Sequence, residues 1–290
     1  MTTISNGEIT AVVSPKGAEL QSVIDTHTHR EYMWQGDSRW WGRRSPLLFP
    51  IVGGMWNSVC RIDGQEIQIP KHGFMQDRTW QTVDEQPESV RLEYVGTVGD
   101  FAIFPFAFKL AITYRLEGRK VVADFEVKNT GGCDLWFQFG GHPAIALPDW
   151  DEKNEIDGFL RLEGEPQYLL RAREQGCTES EHYPVPTDEL GLIPLCVATF
   201  ANEALIFDNH QVKAATVLDR NRRPVARVAS SSPAWLFWSP TGIHTPFVCC
   251  EPWYGLPDPE HFEGPIANRP FINCTHAGQT WTGFYSIEVF

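Results

Sequence analysis

A stretch near the middle of the chain decides the fold: residues 106–127 read FAFKLAITYRLEGRKVVADFEV. Apolar residues occupy every second position from Phe106 to Leu116, and the alternation resumes at Val121 after a short turn. A period of two places the apolar side chains on one face of a strand. Gly118 in the turn is typical of a tight connection between antiparallel strands. The stretch therefore predicts a β-hairpin with one buried face.

The pattern extends outward from this hairpin, because residues 281–289 show the same alternation. Uninterrupted apolar runs, typical of central strands buried on both faces, lie at residues 204–207, 235–238 and 247–250. Sustained helical stripes are scarce, and 24 Gly and 21 Pro are spread along the chain. We predict an all-β protein in which two large antiparallel sheets pack face to face, with very little helix and a single domain over residues 1–290.

Charge excludes several classes of partner. The 290 residues include 24 Lys+Arg and 37 Asp+Glu, a net charge of −13. Such a surface repels phosphate backbones and anionic lipids, so we expect neither nucleic acid nor a membrane as a partner.

The seven Cys have no repeated spacing, and the polar start lacks the pattern of a signal peptide. These features predict a cytoplasmic protein, which we expect to be a monomer or a homodimer.

Two histidines lie in glycine-containing segments that we expect to be unusual turns. His72 precedes Gly73, whereas His142 follows two glycines and precedes Pro143. Glycine lets backbone or ligand approach closely, and a proline beside a histidine rules out an ordinary central strand. Histidine can bind a polar ligand or carry a proton near neutral pH. A purely structural role in a turn is the alternative for both.

Glu251 is the third candidate, because it follows the apolar run 247–250 and precedes Pro252, Trp253 and Tyr254. A buried carboxylate must be paired, hydrogen-bonded or protonated, and burial raises its pKa toward the range of a general base. A salt-bridged structural Glu is the alternative. The sequence contains no phosphate-binding glycine loop, no nucleophile elbow and no convincing set of metal ligands. We therefore predict neither a cofactor nor a metal.

Taken together, these segments resemble the aldose 1-epimerase (galactose mutarotase) family, and more closely its LacX-like branch. The resemblance covers the chain from about Gly17 to Val289. The matching segments, in family order, are residues 17–20, 31–34, 45–53, His72-Gly73-Phe74, Gly141-His142-Pro143, and residues 251–255 with Asp258.

The resemblance implies a β-supersandwich enzyme that interconverts the α and β anomers of a free aldose. It assigns Glu251 as the base that removes the proton of the anomeric hydroxyl. It assigns His142 as the acid that protonates the ring oxygen, with His72 supporting it. The residue types agree, because mutarotation moves one proton off and one on and needs no metal or nucleotide. The implied partner is a small-molecule sugar, either an aldohexose or a sugar phosphate.

The sugar-contacting residues depart from the family pattern. Where the branch often carries arginines, this chain has Gly54 and Gln76. We predict that Gln76, Arg78 and Trp253 contact the sugar. For Trp253 the reason is that an aromatic ring can stack on the apolar face of a sugar. Asp208 is the candidate counterpart of the sugar-binding Asp of better-known mutarotases.

Three other functions stay open. A hexose-6-phosphate 1-epimerase would need basic residues at one end of the cleft, for which Arg43, Arg44 and Arg78 are candidates. A non-catalytic sugar-binding protein on the same fold would not require a matched acid and base. A glycosidase usually needs two carboxylates, and only Glu251 stands out.

Overall fold

Strands dominate the computed structural model, which describes residues 1–290, with 46% of residues in strands and 6% in helices. The strands are β1 (Thr2–Ser5), β2 (Ile9–Val13), β3 (Leu20–Asp25), β4 (Leu47–Leu48), β5 (Val59–Ile62), β6 (Gln65–Gln68), β7 (Gln81–Gln86), β8 (Ser89–Val95), β9 (Phe108–Glu117), β10 (Lys120–Asn129), β11 (Leu135–Phe137), β12 (Phe139–Gly141), β13 (Ala144–Ala146), β14 (Gly158–Gly164), β15 (Leu170–Arg171), β16 (Ile193–Leu195), β17 (Leu205–Phe207), β18 (Val212–Leu218), β19 (Pro224–Ser230), β20 (Ala234–Trp238), β21 (Phe247–Tyr254), β22 (Asn273–Thr275) and β23 (Thr280–Val289).

Helical structure is confined to short pieces. They are the α-helix α1 (Val98–Phe101) and four 3₁₀ turns, Trp56–Ser58, Met75–Asp77, Glu174–Gly176 and Ile266–Asn268. None of them has the length and apolar character that crossing a membrane would require.

The predicted hairpin is confirmed: β9 and β10 pair antiparallel, with Ile112 opposite Phe125. The hairpin belongs to a nine-stranded antiparallel sheet of order β16-β14-β18-β19-β23-β10-β9-β8-β7. A second sheet has the order β15-β17-β20-β21-β12-β4, and β13 also pairs with β21. A three-stranded sheet of β1–β3 and the two ribbons β5–β6 and β11–β22 complete the strands.

The two large sheets bury a common aromatic core between them. Phe125 on the nine-stranded sheet meets Phe139 on the second sheet with ring centroids 4.5 Å apart, and both are about 1% exposed. Each fully buried Phe side chain stabilises the fold by about 1.5–3 kcal/mol. The predicted all-β fold of large packed sheets is confirmed.

Strand β21 connects this core to the opposite face of the second sheet. Val248, Cys250 and Tyr254 belong to the main core between the sheets. Because strand side chains alternate, Cys249, Glu251 and Trp253 point to the other face, where Cys249 and Trp253 join smaller apolar clusters. Both faces of β21 are therefore buried, as its uninterrupted apolar run predicted.

Candidate active site

A cavity of about 550 Å³ opens on this second face and brings together all three catalytic candidates, His72, His142 and Glu251. Two of the four predicted sugar-contacting residues, Gln76 and Trp253, also line it. The volume lies within the range of small-molecule sites, roughly 300–1,000 Å³. Residues distant in sequence thus share one cavity.

Strand register places His142 beside Glu251. Gly140 pairs with Trp253, and Ala144 pairs with Cys249. Continuing the same register across the two short strands sets His142 opposite Glu251. The His142 Nε2 atom lies 3.1 Å from Glu251 Oε2. The two side chains therefore form a contacting acid–base pair at the floor of the cavity.

Burial perturbs both members of this pair. Burial raises the pKa of Glu251 well above its ordinary value of 4.5, and the Lys71 charge and the Trp253 indole offset part of the shift. Burial also lowers the pKa of His142 to about 3, opposed by a hydrogen bond with its own backbone and assisted by the charges of Lys71 and Arg43. The Trp253 indole N–H lies near this carboxyl group, but neither oxygen of Glu251 accepts a hydrogen bond of full geometry. Both shifts favour the uncharged forms, a protonated Glu251 beside a neutral His142.

His72 is held in a defined tautomer by Gly53. The backbone N–H of Gly53 donates to the ring atom Nδ1 of His72 at 3.1 Å. The backbone N–H of His72 donates in return to the Gly53 carbonyl at 3.0 Å. Burial lowers the pKa of His72 well below 6.5, assisted by the nearby His142, Lys71 and Arg43. Because Nδ1 accepts, the neutral ring carries its proton on Nε2. His72 thus has a hydrogen-bond donor left for a ligand.

Aromatic rings surround the histidines. The Trp41 ring stacks on His142 with centroids 4.8 Å apart, and Trp238 meets His142 edge-on at 6.0 Å. Trp253 lies edge-on to His72 at 5.8 Å. Sequence reasoning missed Trp41 and Trp238. The concentration of three Trp within residues 34–41 was the one signal that could have indicated the first.

The two glycine segments differ in structure. His72 and Gly73 have φ of +67° and +72°, so the unusual turn predicted there is present. Gly140 and Gly141 instead lie in strand β12, and the turn predicted before His142 is wrong. A Cβ at Gly140 would lie 2.7 Å from the Trp253 ring. Close packing, not backbone strain, explains that glycine.

Arg78 and Asp208, which were predicted to contact the sugar, do not line the cavity. Arg78 Nε donates to Asp100 Oδ1 at 2.7 Å, and its guanidinium lies 5.1 Å from the centre of the Phe74 ring. Asp208 is buried and accepts a hydrogen bond from Gln211 Nε2 at 3.2 Å. The structure therefore assigns both side chains to internal partners, and Arg43 and Lys71 are the cations that line the cavity.

The missing family arginine at Gly54 has a steric explanation. A Cβ at Gly54 would lie 2.0 Å from the carbonyl oxygen of Gln175, which belongs to the 3₁₀ turn Glu174–Gly176. Backbone cannot move aside as a flexible side chain can. The turn therefore occupies the space in which an arginine at position 54 would begin.

The donor atoms of the pair would also suit a metal ion. One ligating atom each from His142, Cys249 and Glu251 lies within 4.8 Å of the others. Imidazole, thiolate and carboxylate are the ligand types of zinc sites. Proton transfer by the same pair requires no metal, and the absence of a metal requirement stays a prediction.

Comparison with known proteins agrees with this architecture. A model of the family described as aldose 1-epimerase matches residues 1–269. Protein LacX, plasmid, of Lactococcus lactis subsp. lactis is 26% identical over 278 residues, covering 87% of each chain. The crystal structure of a galactose mutarotase-like protein from Lactobacillus casei superposes with a TM-score of 0.93 at 25% identity, covering 100% of both chains. A galactose mutarotase related enzyme from Lactobacillus acidophilus gives a TM-score of 0.89 at 25% identity, covering 100% of this chain and 97% of its own. The chain therefore belongs to the aldose 1-epimerase family.

Proposed function

We propose that this protein is an aldose 1-epimerase that interconverts the α and β anomers of a free aldose. The observation that carries the proposal is the contact of Glu251 with His142 at 3.1 Å on the floor of a cavity of about 550 Å³. Two titratable groups whose pKa values are shifted in opposite directions are typical of an acid–base pair.

The pair holds the proton that His142 must deliver to the ring oxygen. Transfer of this proton from Glu251 to His142 converts the resting pair into carboxylate and imidazolium without changing its net charge. Sugar hydroxyls that donate to the unpartnered oxygens of Glu251 would favour the carboxylate, because hydrogen bonds to a charged form stabilise it. Binding of the sugar thereby prepares the base and the acid together.

Ring opening then follows from these two protonation states. Glu251 removes the proton of the anomeric hydroxyl while His142 delivers its proton to the ring oxygen, and the C1–O5 bond breaks to give the open-chain aldehyde. Rotation about the C1–C2 bond presents the other face of the carbonyl to O5. Reclosure, with the two proton transfers reversed, gives the other anomer. The His72 Nε2–H is suited to holding the sugar on the ring-oxygen side.

Anomer exchange can be measured directly on the free sugar. Polarimetry, or saturation-transfer NMR of the anomeric protons, should show catalysed exchange with at least one member of a panel of free aldoses. Sugar binding without catalysed exchange across the panel would instead support a non-catalytic sugar-binding protein. Neither binding nor exchange with any free aldose would contradict the proposal.

His72→Asn tests the proposed positioning role. We expect a higher KM and a lower kcat together, since the variant loses the Nε2 donor to the sugar. The variant should stay folded, because Asn tolerates positive φ and its Oδ1 can accept from Gly53 as Nδ1 does. The matched control is His261→Asn, since His261 has a φ of +64° but lies outside the cavity lining. Kinetic constants unchanged in His72→Asn would exclude the role.

The cavity cations favour a second candidate function, exchange of the anomers of a hexose 6-phosphate. Lys71 forms no ion pair, and its charge acts on Glu251 and both cavity histidines. Arg43 is ion-paired with the exposed Asp77 at 2.9 Å. A phosphate dianion binds preferentially where such cations converge. The panel should therefore include hexose 6-phosphates.

Lys71→Met separates the two candidates. If the substrate carries a phosphate, we expect kcat/KM for the hexose 6-phosphate to fall by about 10-fold or more, because a hydrogen bond to a charged group contributes about 1.5–3 kcal/mol. The value for the free aldose should change by no more than a few-fold. Lys213→Met, an exposed site on β18, is the control. An equal effect on both substrates would remove the phosphate-binding role of Lys71.

A further inference from the structure

A second group of metal-ligand side chains lies outside the cavity, where β11 meets β22. Asp134 immediately precedes β11, Cys274 lies within β22, and His276 follows it. One ligating atom from each lies within 4.8 Å of the others. We infer that Asp134, Cys274 and His276 form a surface site for a divalent cation of the zinc type.

Strand register explains why the three side chains converge. Leu135 pairs with Thr275, so the next residues outward, Asp134 and His276, lie opposite each other. His276 and Cys274 are two residues apart on the same chain and therefore point to one face. That face is the exposed one, because Leu135 and Thr275 on the other face are buried.

The geometry and the ligand types both suit zinc. His276 Nδ1 and Asp134 Oδ1 are 2.8 Å apart, and tetrahedral zinc with N, O and S ligands needs them roughly 3.3–3.7 Å apart. The Asp134 and His276 side chains are 46% and 68% exposed, so rotation about their side-chain bonds can provide this change. A thiolate with an imidazole selects zinc or cobalt over magnesium and calcium, which prefer oxygen ligands. Water would complete the fourth position.

A cation bound there would fasten the ribbon β11–β22. Strand β11 leads through Gln138 into β12, which ends one residue before His142. Gln138 Nε2 already donates to the carbonyls of Leu256 and Pro270, tying this segment to the loop after β21. The metal would add a crosslink at the outer end of the same segment. It would therefore act on stability, not on the proton transfer.

Titration with cobalt(II) chloride tests the site on the full chain with reduced thiols. We expect a saturable thiolate-to-cobalt charge-transfer band with a stoichiometry of one, and zinc sulfate should displace the cobalt. Zinc at about 100 times its dissociation constant should raise the Tm by roughly 5 °C. Cys274→Ser should abolish the band, and His276→Gln should weaken binding by about 10-fold or more.

Cys133→Ser is the matched control, because Cys133 is the other exposed thiol and is adjacent to Asp134 but outside the group. It should leave the band unchanged. Absence of a saturable band, or a band that survives in Cys274→Ser, would overturn the inference. A band lost only in His142→Gln would assign the metal to the cavity group and would overturn it equally. None of these readouts requires anomer exchange, so they stand apart from the proposed function.

Discussion

Glu251→Gln is expected to lower kcat for anomer exchange by about 10²–10⁴-fold, the usual contribution of a positioned general base. Gln keeps the shape of the side chain but cannot accept the proton of the anomeric hydroxyl. Because its amide still hydrogen-bonds a hydroxyl, KM should change by only a few-fold. Saturation-transfer NMR at several sugar concentrations measures both constants.

The same variant has a second, independent signature in its stability. Burial raises the pKa of Glu251 above its unfolded value, taken as 4.5, so its contribution to stability is lost as pH rises above 4.5. Gln has no such dependence. The free energy of unfolding of Glu251→Gln, measured relative to that of the wild type, should therefore increase by up to about 1.4 kcal/mol per pH unit above pH 4.5. The increase should stop once the pH exceeds the pKa of Glu251 in the folded protein. Denaturant unfolding at a series of pH values measures the difference.

Glu203→Gln is the control for both measurements, since Glu203 also lines the cavity but is exposed to solvent. It should keep kcat within a few-fold and should unfold with the same pH dependence as the wild type, because Glu251 is still present. If Glu203→Gln lost activity and Glu251→Gln kept it, the general base would be Glu203 and the assignment of Glu251 would be wrong. If Glu251→Gln kept both its activity and the wild-type pH dependence, Glu251 would have no part in the mechanism.

His142→Gln is expected to reduce kcat on the same scale, by about 10²–10⁴-fold, because an amide cannot deliver a proton to the ring oxygen. Its effect on stability should be the mirror image of the Glu251 variant. Burial lowers the pKa of His142 from 6.5 to about 3, so its stabilising contribution is present above pH 6.5 and is lost as pH falls toward 3. The free energy of unfolding of His142→Gln, relative to that of the wild type, should therefore increase as pH falls below 6.5.

His182→Gln controls for loss of a histidine, since His182 stacks on Tyr168 at 3.7 Å and does not line the cavity. It should leave kcat unchanged. Near-normal turnover in His142→Gln would mean that another group, such as His72, protonates the ring oxygen. An identical pH dependence of unfolding in the variant and the wild type would contradict a buried, neutral His142.

The site residues that could be predicted from sequence are those marked by their immediate neighbours in the chain. Glu251 could be singled out because a carboxylate at the end of an apolar run is costly unless it has a role or a partner. Gln76 was reached through the family resemblance and Trp253 through its aromatic ring beside Glu251, and both line the cavity. Arg78 and Asp208 were not placed there, because the choice between a ligand and an internal partner such as Asp100 or Gln211 is made by tertiary contacts.

The sequence by itself determined the all-β class, the hairpin of residues 106–127 and the burial of β21, because side-chain alternation is a local property with a fixed period. Only the tertiary structure decided that His142 faces Glu251, that Trp41 covers it, and that Gly140 makes room for Trp253. These contacts depend on strand register and sheet order, which join segments far apart in the chain. A one-residue slip in that register would leave every local pattern intact and would turn His142 to the opposite face.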